Sequence, residues 1–140
     1  MRDARPGARG AQTLCRVVAL ADPRAESPQE TRLRLLLVLD GLPAPHVQYR
    51  LLERWGREWA RFDLAYPEAL LAIEYDGEEH DDALDRARDL RASGLGWHTL
   101  RLLHKDLVRT PQATVALIRD LRARREHMLR AEGYTSAPGA

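Results

Sequence analysis

The segment Arg61–His80 reads R-F-D-L-A-Y-P-E-A-L-L-A-I-E-Y-D-G-E-E-H. Apolar residues alternate with other residues on both sides of Pro67 and Glu68, which predicts two short strands joined by a turn. Side chains alternate between the two faces of a strand, so each strand has one apolar face. These apolar faces comprise Phe62, Leu64 and Tyr66 in the first strand and Leu71, Ile73 and Tyr75 in the second.

The opposite faces of the two strands carry carboxylates. Asp63 lies in the first strand, and Glu74 and Asp76 lie in the second. If the strands pair as a hairpin, these side chains come close together, and like charges that face each other destabilise a sheet. Water, a neighbouring Arg61 or Arg101, or a divalent cation can offset this repulsion. Hard cations such as Mg²⁺ or Mn²⁺ take oxygen ligands, often carboxylates together with a substrate phosphate. The pattern therefore favours metal-assisted hydrolysis of phosphodiester bonds.

The composition is that of one soluble globular domain. The chain has 140 residues, of which 44% are hydrophobic and 31% charged, which suits a proper core and excludes wholesale disorder. The single cysteine, Cys15, excludes an intramolecular disulfide and a cysteine-based zinc site, and favours a reducing, cytoplasmic setting. No apolar run is long enough to span a membrane, and the arginine-bearing start lacks a signal-peptide core.

The net charge of +1 conceals an acidic centre between basic ends. Eight acidic residues and one basic residue lie between positions 61 and 82, whereas the start of the chain and the last predicted helix are rich in arginine. Basic flanks around an acidic centre suit a metal-dependent enzyme that acts on a polyanion, although plain surface charge gives the same pattern.

The predicted elements follow the order helix, three strands, helix, strand, helix. Residues 1–26 are expected to form a tail with a short helix and residues 132–140 a polar tail, which leaves residues 27–131 as the domain. Its first helix begins after Ser27, where S-P-Q-E places an N-cap serine, a proline and Glu30 in capping-box positions. The predicted strands are 46–52, 59–66, 70–76 and 97–103, and the later helices are 81–92 and 111–131.

The step from the third strand to the fourth sets the topology. A strand–helix–strand connection between Ile73 and Leu100 predicts that the strands containing them are parallel, with a right-handed crossover. The expected fold class is α/β: a small mixed sheet flanked by helices. Its sites are expected where the hairpin strands end and the crossover helix begins.

This order of elements, with its residues, resembles the restriction-endonuclease-like fold of the PD-(D/E)xK nucleases. More closely, it is similar to a bacterial domain group of poorly defined function that is related to very-short-patch-repair endonucleases. The resemblance spans about residues 27–119 and depends on five short motifs in a fixed order. They are S-P-Q-E-T-R-L-R at Ser27–Arg34, R-F-D-L-A-Y-P-E at Arg61–Glu68, A-I-E-Y-D-G-E-E-H at Ala72–His80, D-R-A-R-D at Asp85–Asp89 and G-W-H-T-L-R at Gly96–Arg101.

The resemblance implies a site and roles for its residues. Asp63 takes the position of the family's first aspartate and Glu74 that of its second acidic residue, and both would hold the Mg²⁺. Asp76 stands where the family has a lysine, so it would ligate the metal or orient a group and could not supply a positive charge. His80 is the nearest group for proton transfer, in keeping with the histidines that very-short-patch-repair enzymes use in this region. Relatives of the fold often bring a first-helix glutamate, here Glu30, to the metal.

Each of these residues also has a purely structural explanation. Asp63 and Glu74 can lie at a solvated edge or pair with arginine. Asp76 precedes a glycine and forms a common turn signal, His80 can cap or pack at a helix start, and the capping box explains Glu30 completely.

The arginines have two interpretations as well. Arg88 can pair with Asp85 and Asp89 on its own helix face or contact a DNA phosphate, and Arg101 on the neighbouring strand is a second candidate for a phosphate contact. The last predicted helix is expected to present a solvated arginine face, with a stripe of phosphate contacts as the alternative. Its arginines are Arg119, Arg122, Arg124, Arg125 and Arg130.

The expected function is that of a Mg²⁺-dependent endonuclease domain acting on DNA in the cytoplasm. The alternative is a nuclease fold that has lost catalysis and serves as a nucleic-acid- or protein-binding module of an antitoxin-like regulator, an interpretation that the missing lysine favours. An unrelated α/β domain with chance carboxylates is a third interpretation. Related domains often follow a winged-helix segment, for which the residues before Ser27 are too few, so the chain resembles the nuclease-like half alone.

Overall fold

The computed structural model describes residues 27–75 and 82–134. Four strands and four α-helices make up this part of the chain. The strands are β1 (His46–Leu52), β2 (Glu58–Tyr66), β3 (Leu71–Tyr75) and β4 (His98–Leu102). The helices are α1 (Pro28–Leu39), α2 (Asp82–Gly94), α3 (His104–Val108) and α4 (Pro111–Ala131).

The four strands form one mixed sheet in the order β1-β2-β3-β4. β1 and β2 are antiparallel, as are β2 and β3, which are joined by a short 3₁₀ helix over Pro67–Ala69 at the predicted turn. β3 and β4 are parallel and are connected through α2, with Ile73 beside Leu100. The predicted α/β class, the order of the elements in this part of the chain and the parallel pair are confirmed.

Local sequence signals determine where the first helix begins. The Ser27 side chain accepts a hydrogen bond of 3.2 Å from the Glu30 N–H, and Pro28 occupies the first helical position. Both features satisfy or remove amide hydrogens that have no partner within the helix. Helix α1 ends at Leu39, and Gly41 follows with a φ of +93°, a conformation that glycine adopts without strain.

The main core lies between the sheet and helices α1, α3 and α4. It contains large side chains from all of these elements, and they exclude water from one sheet face. They are Leu33, Leu37, Val47, Leu64, Tyr66, Leu71, Ile73, Leu102, Leu107, Val115 and Ile118. The buried Tyr66 hydroxyl donates a hydrogen bond of 2.8 Å to the Pro43 carbonyl, so its polar end is satisfied.

In the β1–β2 hairpin, alternate apolar side chains do not all pack in the main core. Some pack in a second cluster of buried residues, which consists of Phe62, Ala65, Leu70, Ala72, Ala92, Trp97 and Leu129. Phe62 belongs to this cluster with Trp97, at 5.1 Å between ring centroids, whereas Leu64 belongs to the main core. Phe62 is buried like Leu64 and Tyr66, as predicted, but it packs in a different cluster from them. On the neighbouring strand, Gln48 has a left-handed φ of +50°. A left-handed residue interrupts the pleat, and the two strands change their packing on either side of this position.

The arginines of α4 contact other elements of the fold. Arg122 pairs with Glu68, at 2.9 Å, and with Glu126 on its own helix. Arg125 donates to the carbonyls of Ala69 and Gly96, at 2.8 and 2.7 Å. The prediction of a merely solvated arginine face is thus too simple, because these side chains join α4 to the ends of the sheet. No helix within the described ranges is long and apolar enough to cross a membrane.

The predicted list of elements lacks one helix, differs slightly at element ends, and includes tails that the described residues do not cover. Helix α3 was not predicted, because five residues are too few to show a hydrophobic period. Element ends differ by one or two residues elsewhere, as is usual for helix and strand termini. The predicted tail at residues 1–26 and most of the predicted tail at 132–140, namely residues 135–140, lie outside the described residues.

The packing of Phe62 against Trp97 gives a test of the hairpin's unusual path. We expect Phe62→Ala to lower the free energy of unfolding by about 3–5 kcal/mol, the usual loss for a buried phenylalanine. Phe62→Leu, the matched control, should lose clearly less because it keeps most of the buried volume. Urea denaturation measures both. A loss of unfolding free energy below about 1 kcal/mol for Phe62→Ala, as for an ordinary surface substitution, would show that Phe62 does not pack on Trp97.

Candidate functional site

A row of polar side chains crosses the sheet, one from each strand. The ladder between β2 and β3 ends with the pair of Leu64 and Ile73, and Asp63 and Glu74 are the next residues on the two strands. Glu74 is in turn paired with Arg101 on β4. On the other side, Gln48 lies beside Asp63, between the pairs that Val47 and Tyr49 make with β2. The row is therefore Gln48, Asp63, Glu74 and Arg101.

The two carboxylates in the middle of the row are close enough for the charge of Asp63 to act on Glu74. Asp63 Oδ2 accepts a hydrogen bond of 3.0 Å from the Tyr75 N–H, which holds it across the β2–β3 junction. Glu74 is only 8% exposed. Burial raises the pKa of the Glu74 carboxyl, and the negative charge of Asp63 raises it further, while Arg88 and Arg101 act in the opposite direction.

Two guanidinium groups supply the counter-charge for Glu74. Arg88 Nη2, from α2, lies 2.9 Å from Glu74 Oε2, and Arg101 Nε lies 3.7 Å from the same oxygen. Asp89 contacts both arginines and so continues the network toward solvent. Burial lowers the pKa of Arg88, but the nearby charges of Glu74, Asp89 and Asp85 outweigh it and raise that pKa overall. The network is an alternation of acids and bases with Glu74 at its buried end.

Glu30 approaches the row from the first helix. It is buried, and its Oε2 accepts a hydrogen bond of 2.9 Å from the amide of Gln48. Gln48 is the residue in the left-handed conformation, which costs of order 1–3 kcal/mol for a residue other than glycine. Glu30 thus occupies its helix-capping position and also contacts the row, so the structural explanation from the sequence does not exclude a place near the site.

The structure brings most of the predicted site residues together. Glu30, Asp63, Glu74, Arg88 and Arg101 are all part of the row or touch it. Of the structural explanations, pairing with arginine applies to Glu74, through Arg101 as expected and through Arg88 as well.

Other predictions fall outside the described part of the chain, and some participants were missed. Asp76 and His80 lie between residues 75 and 82, outside the described residues. Gln48 and Asp89 were not singled out from the sequence. A glutamine in a strand looks like an ordinary solvent-facing residue, and Asp89 was assigned only to pairing within its helix.

The donor set can be compared with what a divalent cation needs. Asp63 and Glu74 provide carboxylate oxygens near each other, the ligand type that Mg²⁺ prefers. One oxygen of Glu74 is engaged by arginine, so a cation has to use the other oxygen or displace a guanidinium. Within residues 27–75 and 82–134, no three His, Cys, Asp or Glu side chains are grouped so as to hold a metal ion. The two residues fit a cation as part of a ligand set.

A cavity of about 390 Å³ adjoins the arginine end of the row. It is lined by Asp85, Arg86, Asp89, Leu90, Ser93 and Arg101. The cavity combines charges of both signs with one aliphatic side chain, and it shares Asp89 and Arg101 with the network around Glu74. Any ligand of this cavity therefore acts directly on the counter-charges of the buried carboxylate.

Comparisons with known proteins give relatives without an assigned function. The chain is 34% identical over 117 residues to two uncharacterized proteins of Mycobacterium tuberculosis, MT2308 of strain CDC 1551 and Rv2248 of strain H37Rv. The match covers 80% of this chain but 43% of each relative, so the chain spans less than half of their length. No protein-family model matches the chain, and no solved structure matches it.

The Arg88–Glu74 pair predicts a pH-dependent loss of stability. We expect Arg88→Met to lower the free energy of unfolding by about 1–3 kcal/mol at neutral pH, because it leaves a buried carboxylate short of counter-charge. Burial places the folded pKa of Glu74 above the unfolded value, so the charged form is the costly one in the folded protein. The effect of Arg88→Met is therefore largest above the folded pKa and shrinks as the pH falls through it.

The matched control is Arg101→Met, whose guanidinium is farther from Glu74 and more exposed, and which should cost below about 1 kcal/mol. Adding Glu74→Gln to Arg88→Met should recover most of the lost stability at neutral pH. Chemical denaturation across a pH series measures all three. An effect of Arg88→Met that is independent of pH would show that the arginine acts through packing alone.

Proposed function

We propose that this domain is a metal-dependent endonuclease that hydrolyses phosphodiester bonds of DNA, with Asp63 and Glu74 as ligands of Mg²⁺. The observation that supports this proposal is the proximity of Asp63 to a buried Glu74, each one residue beyond the Leu64–Ile73 pair of neighbouring strands. Perturbed carboxyl pKa values beside a cavity are typical of functional sites, where chemistry requires groups that destabilise the fold. The resemblance to PD-(D/E)xK nucleases assigns the same two residues.

The chemistry of such a site divides between the cation and the protein. The cation, when bound, activates water and stabilises negative charge on the phosphoryl oxygens. Asp63 and Glu74 would hold it, and the hydrogen bond from the Tyr75 N–H fixes the orientation of Asp63. Asp76 and His80 keep the roles that the resemblance implies, namely a helper at the metal and a proton-transfer group. Glu30 would act through Gln48, which it contacts directly.

A second function is favoured by a specific observation. Arg88 and Arg101 already supply counter-charge to the Glu74 carboxylate in the absence of a cation. A nuclease fold that has lost catalysis would keep this arrangement and bind nucleic acid or protein as a module of an antitoxin-like regulator. The two functions make opposite demands on Glu74: the enzyme needs it to bind a metal, and the binding module needs it only as an ion-pair partner.

The first test is metal-dependent stabilisation. At a hundredfold excess over its Kd, Mg²⁺ or Mn²⁺ should raise the melting temperature of the wild type by about 5–10 °C. Asp63→Asn should remove most of this gain, because it deletes an anionic ligand without changing shape. Asp120→Asn, an exposed carboxylate on α4, is the matched control and should respond like the wild type. Equal shifts for the wild type and Asp63→Asn would place the cation elsewhere.

The second test is catalysis, measured as nicking of plasmid DNA and cleavage of single-stranded DNA at low salt. Glu74→Gln should abolish metal-dependent cleavage, and His80→Ala should reduce the rate about 10²–10⁴-fold while leaving the metal-induced thermal shift nearly intact. Cleavage by Glu74→Gln at the wild-type rate would reveal a contaminating nuclease. DNA binding without cleavage under any of the metals would instead establish the binding-module function.

A further inference from the structure

The tip of the β1–β2 hairpin presents a tryptophan to solvent. Trp55 is 90% exposed, although a buried aromatic side chain removes some 150–250 Å² from water. Backbone hydrogen bonds hold the tip in one shape: the Gly56 N–H donates to the Glu53 carbonyl and the Glu53 N–H donates to the Arg57 carbonyl, both at 2.8 Å. Gly56 has a φ of +81°, which a glycine supplies without strain. The turn therefore displays Trp55 in a preorganised position.

The surface around Trp55 has an excess of positive charge. Arg54 and Arg57 flank the tryptophan in sequence and are exposed. Each glutamate of the hairpin is shared between two arginines. Glu53 contacts Arg57 and Arg91, and Glu58 contacts Arg50 and Arg61. Guanidinium groups pull the pKa of both glutamates down, so the acids stay charged and still leave arginine charge in excess.

We propose that this hairpin tip, defined as Arg54, Trp55, Gly56 and Arg57, binds single-stranded DNA by stacking an unpaired base on the Trp55 indole. Arg54 and Arg57 would contact the phosphates on either side of that base. Aromatic side chains in a positively charged setting are the usual platform for single-stranded nucleic acid, since every base offers a flat π surface. The inference deepens the proposed function and rests on it, because it names an unpaired strand as the substrate.

Two other uses of an exposed tryptophan fit the surface less well. Isolated apolar residues are common on protein surfaces, but this one stands between two exposed arginines in a hydrogen-bonded turn. Tryptophans that anchor protein partners usually lie within a ring of contacts that excludes water. Here the surrounding side chains are charged and exposed, which complements a phosphate backbone. The turn should also lose little conformational entropy when a ligand binds, because its backbone is already held by hydrogen bonds.

The path of the hairpin connects this tip to the carboxylate row. The strands on either side of the tip are the same β1 and β2 that carry Gln48 and Asp63. The residues next to the tip are also tied to α2, since Arg91 contacts Glu53 and stacks over the Trp59 ring at 4.1 Å from its centroid. Arg88, on the same helix, contacts Glu74. A strand bound at the tip would thus lie along elements that continue directly to the candidate site.

The test measures binding of the full chain to a fluorescent oligothymidylate by anisotropy, at low salt and with a chelator, so that cleavage plays no part. We expect Trp55→Ala to weaken binding about 5- to 150-fold, the worth of one base stack, and Trp55→Phe to weaken it less. Arg54→Ala should weaken binding to all sequences and reduce the slope of log affinity against log salt by about 0.7. Leu117→Ala, an exposed apolar residue on α4, is the control and should bind like the wild type.

A second readout does not depend on a variant's affinity. Bound oligothymidylate should protect the wild-type protein from quenching of tryptophan fluorescence by acrylamide, and Trp55→Phe should show little of this protection. Equal affinity for the wild type and Trp55→Ala, or absence of binding by the wild type, would overturn the proposal and leave a protein partner as the use of Trp55. The proposed function fails separately: Trp55-dependent binding without any metal-dependent cleavage keeps the hairpin site and rejects the nuclease.

Discussion

A carboxylate buried on an inner strand of a small sheet requires counter-charges, and Glu74 obtains them from two different elements. Arg88 reaches it from α2 and Arg101 from β4, while Asp63 on β2 adds a second negative charge from the other side. The parallel pairing of β3 with β4 is what puts Arg101 next to Glu74. The crossover helix required by that pairing is what supplies Arg88. The parallel β3–α2–β4 connection therefore supplies both arginines that balance the charge of Glu74.

Beside this charged cluster, the β1–β2 hairpin changes from packing in the main core to packing in the second cluster. Gln48 adopts its left-handed conformation beside Asp63, and its amide holds Glu30. On the side of Gln48 away from the hairpin tip, Val47 and Leu64 pack in the main core. On the side of Gln48 toward the hairpin tip, Tyr49 and Phe62 pack on Trp97. Backbone strain of this kind persists only where the surroundings fix it, and it often marks a functional position.

Local signals in the sequence predicted much of this fold. The limits of β1 and α4 agree with the predicted ranges, the Ser27 cap forms as expected, and the helical connection correctly indicated a parallel pair. These features depend on periodicity and on neighbours within a few residues. The position of Phe62 depends instead on an unusual conformation of Gln48 on another strand, which no local pattern reveals. The double pairing of Glu74 depends on side chains from α2 and β4, so the sequence indicated Arg101 as a partner but assigned Arg88 only to its own helix face or to a phosphate.

Competition for Glu74 links the chemistry of the site to its stability. In the proposed enzyme, a divalent cation and the Arg88 guanidinium would compete for the same carboxylate, so either one would reduce the benefit of the other. The cation has the larger charge, but it must lose water to bind, whereas Arg88 is already in place at 2.9 Å. The proposed metal would therefore bind here more weakly than at carboxylates without an arginine partner, and it would free the Arg88 guanidinium from Glu74. An ion pair that holds Glu74 in the absence of metal would in this way supply a positive charge beside the proposed metal.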